Sequence, residues 1–159
     1  MPKGIKEIIK PATNRLETTY LVLPEHTNFM GNIFGGTIMS WIDTTAAIVA
    51  FRHCRSIVVT AAMDDLSFLS PVHLGDMVNL KAAVNFTSKR TIEIGVKVWA
   101  ENPITGKTRH TSSAYLSFVS LNKKNKAQLI KPVTPKTIDE KRRFKEGERR
   151  YKQRLKKRN

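Results

Sequence analysis

The sequence predicts an α+β fold in which an antiparallel sheet of five or so strands wraps around one long central helix. The first observation is a series of segments in which apolar and polar residues alternate, joined by short turns. Such runs are typical of antiparallel strands that cover a core with one face. The second observation is one long, largely apolar helical segment that precedes most of the strands. Because each element must bury its apolar side against another, the simplest packing places this helix inside the sheet.

The first strand is predicted at residues 16–23, and the breakers Pro, Asn and Gly indicate a loop at residues 24–35. The helix is predicted to begin at Gly35 or Gly36 and to end near His53. Its apolar positions are Ile38, Met39, Trp41, Ile42, Ala46, Ile48, Val49 and Phe51. Because they surround most of the helix axis, we expect a buried helix and not a surface one.

Four further strands are predicted at residues 56–69, 77–87, 90–101 and 107–121. A Pro-x-x-Gly turn at residues 102–106 joins the last two strands. Alternation assigns three groups of residues to a shared face of their strands, namely Val78, Leu80, Ala82, Val84 and Phe86, then Ile92, Ile94, Val96 and Val98, then Ala114, Leu116 and Phe118.

The net charge of +15 is concentrated near the end of the chain. Residues 1–121 hold 12 Lys/Arg against 9 Asp/Glu, whereas residues 122–159 hold 16 against 4. We therefore divide the chain into a main domain, residues 1–133, and a basic tail, residues 134–159. The tail is either a solvated surface or an arm that binds phosphates, nucleic acid or acidic membrane. It has few aromatic residues on which bases could stack, so a nucleic-acid partner is not expected.

The tail carries the signature of a helix start. Thr137 followed by Glu140 is a candidate capping box. The apolar stripe beyond it is thin, and Gly147 is expected to weaken the middle of the helix. We expect a partly ordered helix that leans on the main domain or on a neighbouring subunit.

A cytoplasmic protein without a membrane span is expected. The N-terminal residues include no apolar segment typical of a secretory signal, and apolar runs end well short of the ~20 residues that cross a bilayer. Cys54 is the single cysteine, so it cannot form an intrachain disulfide. One Cys and four scattered His show no metal-ligand spacing, so no metal site is expected.

One stripe of the predicted helix differs from the rest. Gly36, Ser40, Asp43 and Ala47 follow helical spacing and place a carboxylate among small residues. A carboxylate on an otherwise apolar helix is costly unless it is solvated, paired or used. Either Asp43 bonds neighbouring hydroxyl or amide groups for stability alone, or the small neighbours leave room for a ligand.

Several short motifs occur in a fixed order between residues 15 and 121. They are HTNFMGNIFGGTIMSWID at residues 26–43, VVTA at 58–61, DLSFLSP at 65–71, and Gly75-Asp76. Together they resemble the acyl-CoA hydrolase family of the hotdog fold, which includes YciA-like bacterial thioesterases and the brain-type cytosolic acyl-CoA hydrolase. The basic tail lies outside this resemblance.

The resemblance implies a hotdog fold and hydrolysis of acyl-CoA thioesters to free acid and coenzyme A, without a metal or organic cofactor. It implies that Asp43 is the catalytic carboxylate, that Asn28 acts from the loop before the helix, and that Gly35 and Gly36 form the helix start at the site. It also implies a homodimer with active sites at the subunit interface, assembled further as a trimer of dimers.

The residue types at these positions are themselves suited to the hydrolysis of a thioester. Asp43 can activate water as a general base or attack the thioester directly. The free N–H groups near Gly35 and Gly36 can stabilise an oxyanion. However, Gly36 and Asp43 are seven residues apart, which is about 10 Å along a helix. We therefore expect a composite site in which Gly36 of one chain meets Asp43 of an antiparallel partner helix, and an inactive monomer.

Coenzyme A also needs basic groups for its phosphates and a groove for its acyl chain. The phosphate candidates are Ser88, Lys89, Arg90 and Thr91, which equally suit an ordinary hairpin tip. Arg52, Arg55 and the tail are further candidates. The groove candidates are Phe29, Met30, Phe34 and Trp41, any of which could instead belong to the core.

Two other functions use the same fold. A non-catalytic acyl-CoA sensor would not need a water-activating carboxylate, and no helix-turn-helix segment is evident. A hydratase of enoyl thioesters typically pairs its Asp with a His on the helix, and no His lies within nine residues after Asp43. None of the four histidines is expected to be catalytic; surface or hydrogen-bonded roles suit His26, His53, His73 and His110 better.

Overall fold

The computed structural model of the protein describes residue 7 and residues 13–159. It contains five strands and two α-helices in these residues. They are β1 (Arg15–Leu21), α1 (Gly35–Cys54), β2 (Ile57–Phe68), β3 (Met77–Thr87), β4 (Thr91–Glu101), β5 (Thr108–Leu121) and α2 (Ile138–Arg158). A single 3-10 turn at Pro24–His26 precedes α1. The predicted elements and their boundaries agree with these to within a few residues.

The five strands form one antiparallel sheet in the order β1-β3-β4-β5-β2. β1 and β2 are therefore its two edges. Helix α1 packs on one face of this sheet and contacts all five strands. The α+β architecture predicted from the alternating runs is confirmed.

The core lies between α1 and the inner face of the sheet. The helix contributes Ile38, Ile42, Thr45, Ala46, Val49 and Ala50, all buried. The residues predicted to share a face of β4 and β5 are all buried in this core. Period-2 alternation therefore located the inner face of these strands correctly.

The prediction that α1 is buried on most sides is wrong for the single chain. Met39, Ile48 and Phe51 are exposed. The sheet covers one side of the helix, and the opposite side, although also apolar, has no covering element among residues 13–159. The apolar pattern of α1 therefore includes a side that the sheet of its own chain does not cover.

One residue of β3 was assigned to the wrong face. Val78, Leu80, Ala82 and Val84 point into the core as predicted. Between Val84 and Phe86 the register with β4 shifts, which is the mark of a β-bulge. Because an extra residue reverses the alternation, Phe86 lies on the outer face of the sheet.

Helix α2 covers that outer face. Its predicted capping box is confirmed: the Thr137 hydroxyl accepts from the Glu140 N–H at 3.1 Å, and the Glu140 carboxylate accepts from the Thr137 N–H at 3.2 Å. The Phe86 ring packs against Phe144 and Tyr151, with ring centroids 5.1 and 5.5 Å apart. The basic tail therefore forms a helix that packs against the sheet of its own chain. The domain boundary at residue 133 stays a prediction.

A buried carboxylate joins α2 to the sheet. Glu93 of β4 is 1% exposed and accepts hydrogen bonds from the Arg150 guanidinium on both of its oxygens, from Nη2 at 2.7 Å on Oε1 and from Nε at 3.1 Å on Oε2. The same guanidinium lies 3.6 Å from the centre of the Tyr115 ring. Arg154 bonds Asp64 of β2 at 2.7 Å. Because a buried charge is costly without a partner, removal of Arg150 would leave the buried Glu93 carboxylate without its main partner.

Gly147 allows this close approach. It is the buried residue of α2, and a Cβ placed on it would come within 2.7 Å of Phe86 Cβ and 3.1 Å of Glu93 Oε1. A contact of 2.7 Å between carbons requires the helix to move away. The glycine that was expected to weaken the helix is therefore the position at which the helix meets the sheet.

Gly147→Ala is expected to lower the free energy of unfolding by about 1–3 kcal/mol through overpacking. In an exposed helix the same change would raise it by up to about 1 kcal/mol, because alanine has the higher helix propensity. Urea unfolding of both proteins measures the difference.

Lys145→Ala, at an exposed position of α2, is the control and should change stability by less than about 0.5 kcal/mol. A Gly147→Ala protein more stable than wild type would show that α2 does not pack as described.

Candidate active site

The start of α1 presents free backbone donors. Phe34 is the N-cap in an extended conformation, and no side chain caps the helix. The first intrahelical bond runs from Thr37 N to Phe34 O at 2.9 Å. The N–H groups of Gly35 and Gly36 precede any possible intrahelical acceptor, so they remain available, and the helix dipole favours negative charge beside them.

Asn28 shapes the loop that leads to this helix. Its Oδ1 accepts hydrogen bonds from Met30 N at 2.9 Å and Asn32 N at 3.3 Å. The amide oxygen is therefore committed to the loop. The Nδ2 group of this exposed side chain is left to donate to a ligand.

The loop is held against the segment before β3. Ile33 N donates to Val72 O at 2.7 Å, and the Asn32 and His73 side chains are bonded at 2.9 Å. Asp76, from the Gly75-Asp76 motif, accepts from His73 N at 2.9 Å and from Arg109 at 2.6 Å. The motif residue Asp76 thus has a structural role that keeps the Asn28 loop in place.

Asp43 has a partner that sequence reasoning missed. The Thr60 hydroxyl of β2 donates to Asp43 Oδ1 at 2.8 Å. The β2–β5 register shifts between Thr60 and Ala62, which is a bulge of the kind that redirects side chains at functional sites. Thr60 lies in the VVTA motif, but strand alternation alone does not separate a functional hydroxyl from an ordinary strand threonine.

The chain does not bring its own predicted site residues together. α1 is one continuous helix from Gly35 to Cys54, so Asp43 lies about 10 Å along the axis from Gly36. Gly35, Gly36 and Asn28 lie at the helix start, and Asp43 and Thr60 form a separate pair. The residues predicted for the site therefore lie in two separate places in the single chain.

The predicted phosphate-binding residues form the β3–β4 turn. The hydroxyls of Ser88 and Thr91 bond each other at 2.5 Å, so they brace the turn. Lys89 and Arg90 are exposed at its tip. Ile92 pairs with Phe118, which pairs with Thr60; two strand spacings, roughly 10 Å, therefore separate this end of β4 from Thr60.

The predicted groove residues divide into two groups. Phe29, Met30 and Phe34 are 98%, 68% and 62% exposed, which excludes them from the core of the single chain. Trp41 instead packs in the fold, stacked on Tyr20 at a centroid distance of 4.4 Å. An apolar surface therefore surrounds the start of α1.

The four histidines are all engaged in hydrogen bonds within the chain. Each histidine is hydrogen-bonded, as expected: His26 to Leu23 N, His53 to Lys131 O, His73 to Asn32, and His110 to Ser113.

The described residues contain no group of three or more His, Cys, Asp or Glu placed to hold a metal ion. In the same part of the chain, neither helix combines the length and apolar character that crossing a membrane requires.

The fold agrees with comparisons to known proteins. The family model of the thioesterase superfamily matches residues 30–107. The Bacillus subtilis protein named uncharacterized acyl-CoA thioester hydrolase YkhA is 37% identical over 127 residues, which cover 80% of this chain and 74% of that protein. The chain therefore belongs to the thioesterase superfamily, and within it to the acyl-CoA thioester hydrolases.

Longer relatives match as well. Mouse acyl-coenzyme A thioesterase 11 is 35% identical over 156 residues, and the mouse cytosolic acyl coenzyme A thioester hydrolase is 33% identical over 154 residues. The chain spans 26% and 40% of the length of these two proteins.

Solved structures show the same architecture. An apo-hexameric acyl-CoA thioesterase superposes with a TM-score of 0.87 at 35% identity and covers 93% of this chain and 96% of its own. The Staphylococcus aureus acyl-CoA hydrolase, solved with butyryl coenzyme A, coenzyme A and coenzyme A disulfide, has a TM-score of 0.84 at 30% identity, with 91% and 88% covered. The 137 residues that precede α2 make up less than 93% of the 159-residue chain. A superposition that covers 93% of this chain therefore includes part of the basic tail.

Cys54 at the end of α1 is a poor nucleophile, because burial raises its pKa to about 11. At pH 8 about one part in a thousand is thiolate, and this fraction increases with pH. Iodoacetamide should therefore alkylate the native protein at least tenfold more slowly than the urea-unfolded chain, at a rate that rises from pH 8 towards pH 11. Equal rates in the two states, or a rate that levels off near pH 9, would contradict this.

Proposed function

We propose that the protein is an acyl-CoA thioesterase that hydrolyses fatty acyl-CoA to free acid and coenzyme A, with Asp43 as the catalytic carboxylate. The observation that carries the proposal is the Asp43–Thr60 pair, in which a hydroxyl orients a half-buried carboxylate on a stripe of small residues. The acyl-CoA hydrolases among the relatives support the substrate class. An acyl-CoA sensor would need no such oriented carboxylate.

The Asp43–Thr60 bond leaves one carboxylate oxygen for the reaction. Oδ1 accepts the Thr60 hydroxyl, so Oδ2 can take a proton from water as that water attacks the thioester carbonyl. Alternatively, Oδ2 attacks the carbonyl itself and forms an anhydride that water then hydrolyses. In both routes the carbon–sulfur bond breaks and the coenzyme leaves as a thiolate that takes up a proton.

The start of α1 supplies the groups that the oxyanion needs. The free N–H groups of Gly35 and Gly36 and the Asn28 amide are fixed before the reaction, which is the condition for strong electrostatic stabilisation. The positive end of the helix dipole adds to them. Asn28 could equally orient the attacking water.

The active site is proposed to combine two protomers. Asp43 and Gly36 are about 10 Å apart along one rigid helix, whereas an antiparallel partner helix would bring them together. The exposed apolar side of α1, with Met39, Ile48 and Phe51, gives such a partner a surface to cover. A trimer of such dimers is the proposed assembly, supported by the neighbour described as hexameric.

Residues around this site are proposed to bind the phosphates of the coenzyme and the acyl chain. Lys89 and Arg90 are proposed to bind the coenzyme phosphates from the β3–β4 turn, with Ser88 and Thr91 holding that turn. The exposed apolar residues Phe29, Met30 and Phe34 suit the acyl chain. The reaction is proposed to need no metal or organic cofactor, and the cytosolic hydrolases among the relatives support a cytoplasmic location.

Thiol release from short- to long-chain acyl-CoAs tests the activity. Asp43→Ala should lower kcat by at least about 100-fold, in line with the usual contribution of a general base. Thr60→Ala should lower it by about 10- to 100-fold, because a hydrogen bond to a charged group contributes about 1.5–3 kcal/mol. Asn28→Ala should have a smaller effect than Asp43→Ala.

Thr60→Ser keeps the hydroxyl and is the matched control, expected within about threefold of wild type. Full turnover by the Asp43→Ala protein would refute the mechanism. Tight acyl-CoA binding by wild type without turnover of any substrate would instead favour the sensor.

Co-expression of Asp43→Ala and Asn28→Ala chains with different affinity tags tests the composite site. If Asp43 and Asn28 of one site come from different chains, each mixed dimer has one site with both native residues. Assemblies purified through both tags should then exceed the mean turnover of the two single-variant proteins and approach about half of the wild-type turnover as the share of mixed dimers rises, because each isologous interface makes two equivalent sites.

The two homodimers, purified and assayed separately, provide the baseline. Turnover by the mixed dimers that does not exceed the mean of the two homodimers would show that one chain supplies both residues.

A further inference from the structure

A cavity of about 540 Å³ lies between the first half of α2 and the outer face of the sheet. α1 and Asp43 lie on the inner face, so the sheet separates this cavity from the proposed catalytic residues. Its volume is in the range of small-molecule sites, about 300–1,000 Å³. Nothing in the proposed thioesterase mechanism uses it.

Two small residues make the hollow. Strand register places Arg15, Ala83, Gly95 and Tyr115 in one row across β1, β3, β4 and β5. Ala83 and Gly95 stand at the centre of this row and line the cavity, and a Cβ on Gly95 would come within 2.5 Å of Asn85 Nδ2. The helix bridges over them because its close contact with the sheet is further along, at Gly147.

The lining is predominantly cationic. Three carboxylates, those of Glu17, Asp139 and Glu146, face five cations in the described structure, those of Arg15, Lys81, Lys97, Arg142 and Arg143. The Asp139 oxygens are both taken, by Arg142 and Arg143 at 2.6 Å each, and these two arginines hold the pKa of Asp139 below its usual range. Arg15 is also paired, with Glu140 at 3.3 Å, and Arg142 with Glu146 at 3.2 Å, so the positive charge that remains in excess lies on the two lysines.

Lys81 and Lys97 concentrate this excess. They are directly opposite each other on β3 and β4, and like charges in such pairs are destabilising. Within the described residues, neither has a carboxylate within ion-pair distance. Glu17, the residue opposite Lys81 on β1, accepts from Asn79 at 2.9 Å instead.

Two buried polar atoms at the cavity also have unused hydrogen-bonding capacity. The Arg143 Nε–H finds no acceptor among the described residues, and Asn85 Oδ1 finds no donor there. Asn85 itself is 4% exposed and lines the cavity. Both atoms have almost no accessible surface, so an anion in the cavity would bond the terminal guanidinium nitrogens of Arg143 and not its Nε.

We infer that this cavity binds a small anion that carries two or more phosphate groups, held by Lys81 and Lys97 on the sheet and by Arg143 on α2. Two opposed ammonium groups suit two phosphates of one ligand, and arginine suits phosphate geometry. The ligand is either a free polyphosphate-type metabolite or the phosphate-bearing part of a second coenzyme A molecule.

Isothermal titration of the full-length protein with inorganic pyrophosphate tests this site. Wild type should show saturable binding of one pyrophosphate per chain. Lys81→Gln/Lys97→Gln should weaken binding at least tenfold. The control, Lys123→Gln/Lys124→Gln, removes the same charge from an exposed loop and should weaken it less than threefold.

The absence of saturable binding by wild type would overturn the inference, as would equal weakening by both double variants, which indicates diffuse attraction alone. Undiminished binding by Lys81→Gln/Lys97→Gln would also overturn it. In a competition titration, displacement of pyrophosphate by coenzyme A identifies the coenzyme as the ligand, and retained pyrophosphate identifies a free polyphosphate. All three proteins are first compared by thermal unfolding to show that they are folded.

Discussion

Helix α1 is apolar on two sides, and its own sheet covers only one of them. Ile38, Ile42 and Val49 lie at less than 2% exposure against the strands, while Ile48 and Phe51 remain exposed on the opposite side. Burying an apolar side chain contributes about 1.5–3 kcal/mol, so the uncovered side is a substantial driving force for association. The helix therefore organises both the core of the chain and its proposed pairing with a second copy.

Two β-bulges, one in β3 and one in β2, lie next to side chains with particular contacts on the two faces of the sheet. The bulge in β3 turns Phe86 outward, where it joins Phe144 and Tyr151 beneath α2. A second bulge, in β2, follows Thr60 beside its bond to Asp43. Both bulges interrupt the regular ladder where a side chain is needed on a particular side, once for packing and once for the site.

Sequence patterns predicted the strands, the start of α1 and the capping box of α2, because these depend on local periodicity and on residues three or four apart. They did not predict the face of Phe86, since a bulge is a property of two paired strands and not of one. They also missed Thr60, whose role depends on a contact with a residue 17 positions away. Asp43 was recognisable because a carboxylate on an apolar helix is unusual in itself.

The geometry of α1 links assembly to chemistry in the proposed enzyme. A continuous helix cannot shorten the roughly 10 Å between Gly36 and Asp43, so no loop movement within one chain brings the oxyanion donors to the carboxylate. Association that covers the apolar side of α1 would do so with the same contact that stabilises the dimer. Arg154 of α2 is bonded to Asp64 on the edge strand that also carries Thr60. The basic helix at the end of the chain therefore supports the strand whose threonine hydroxyl bonds the proposed catalytic carboxylate.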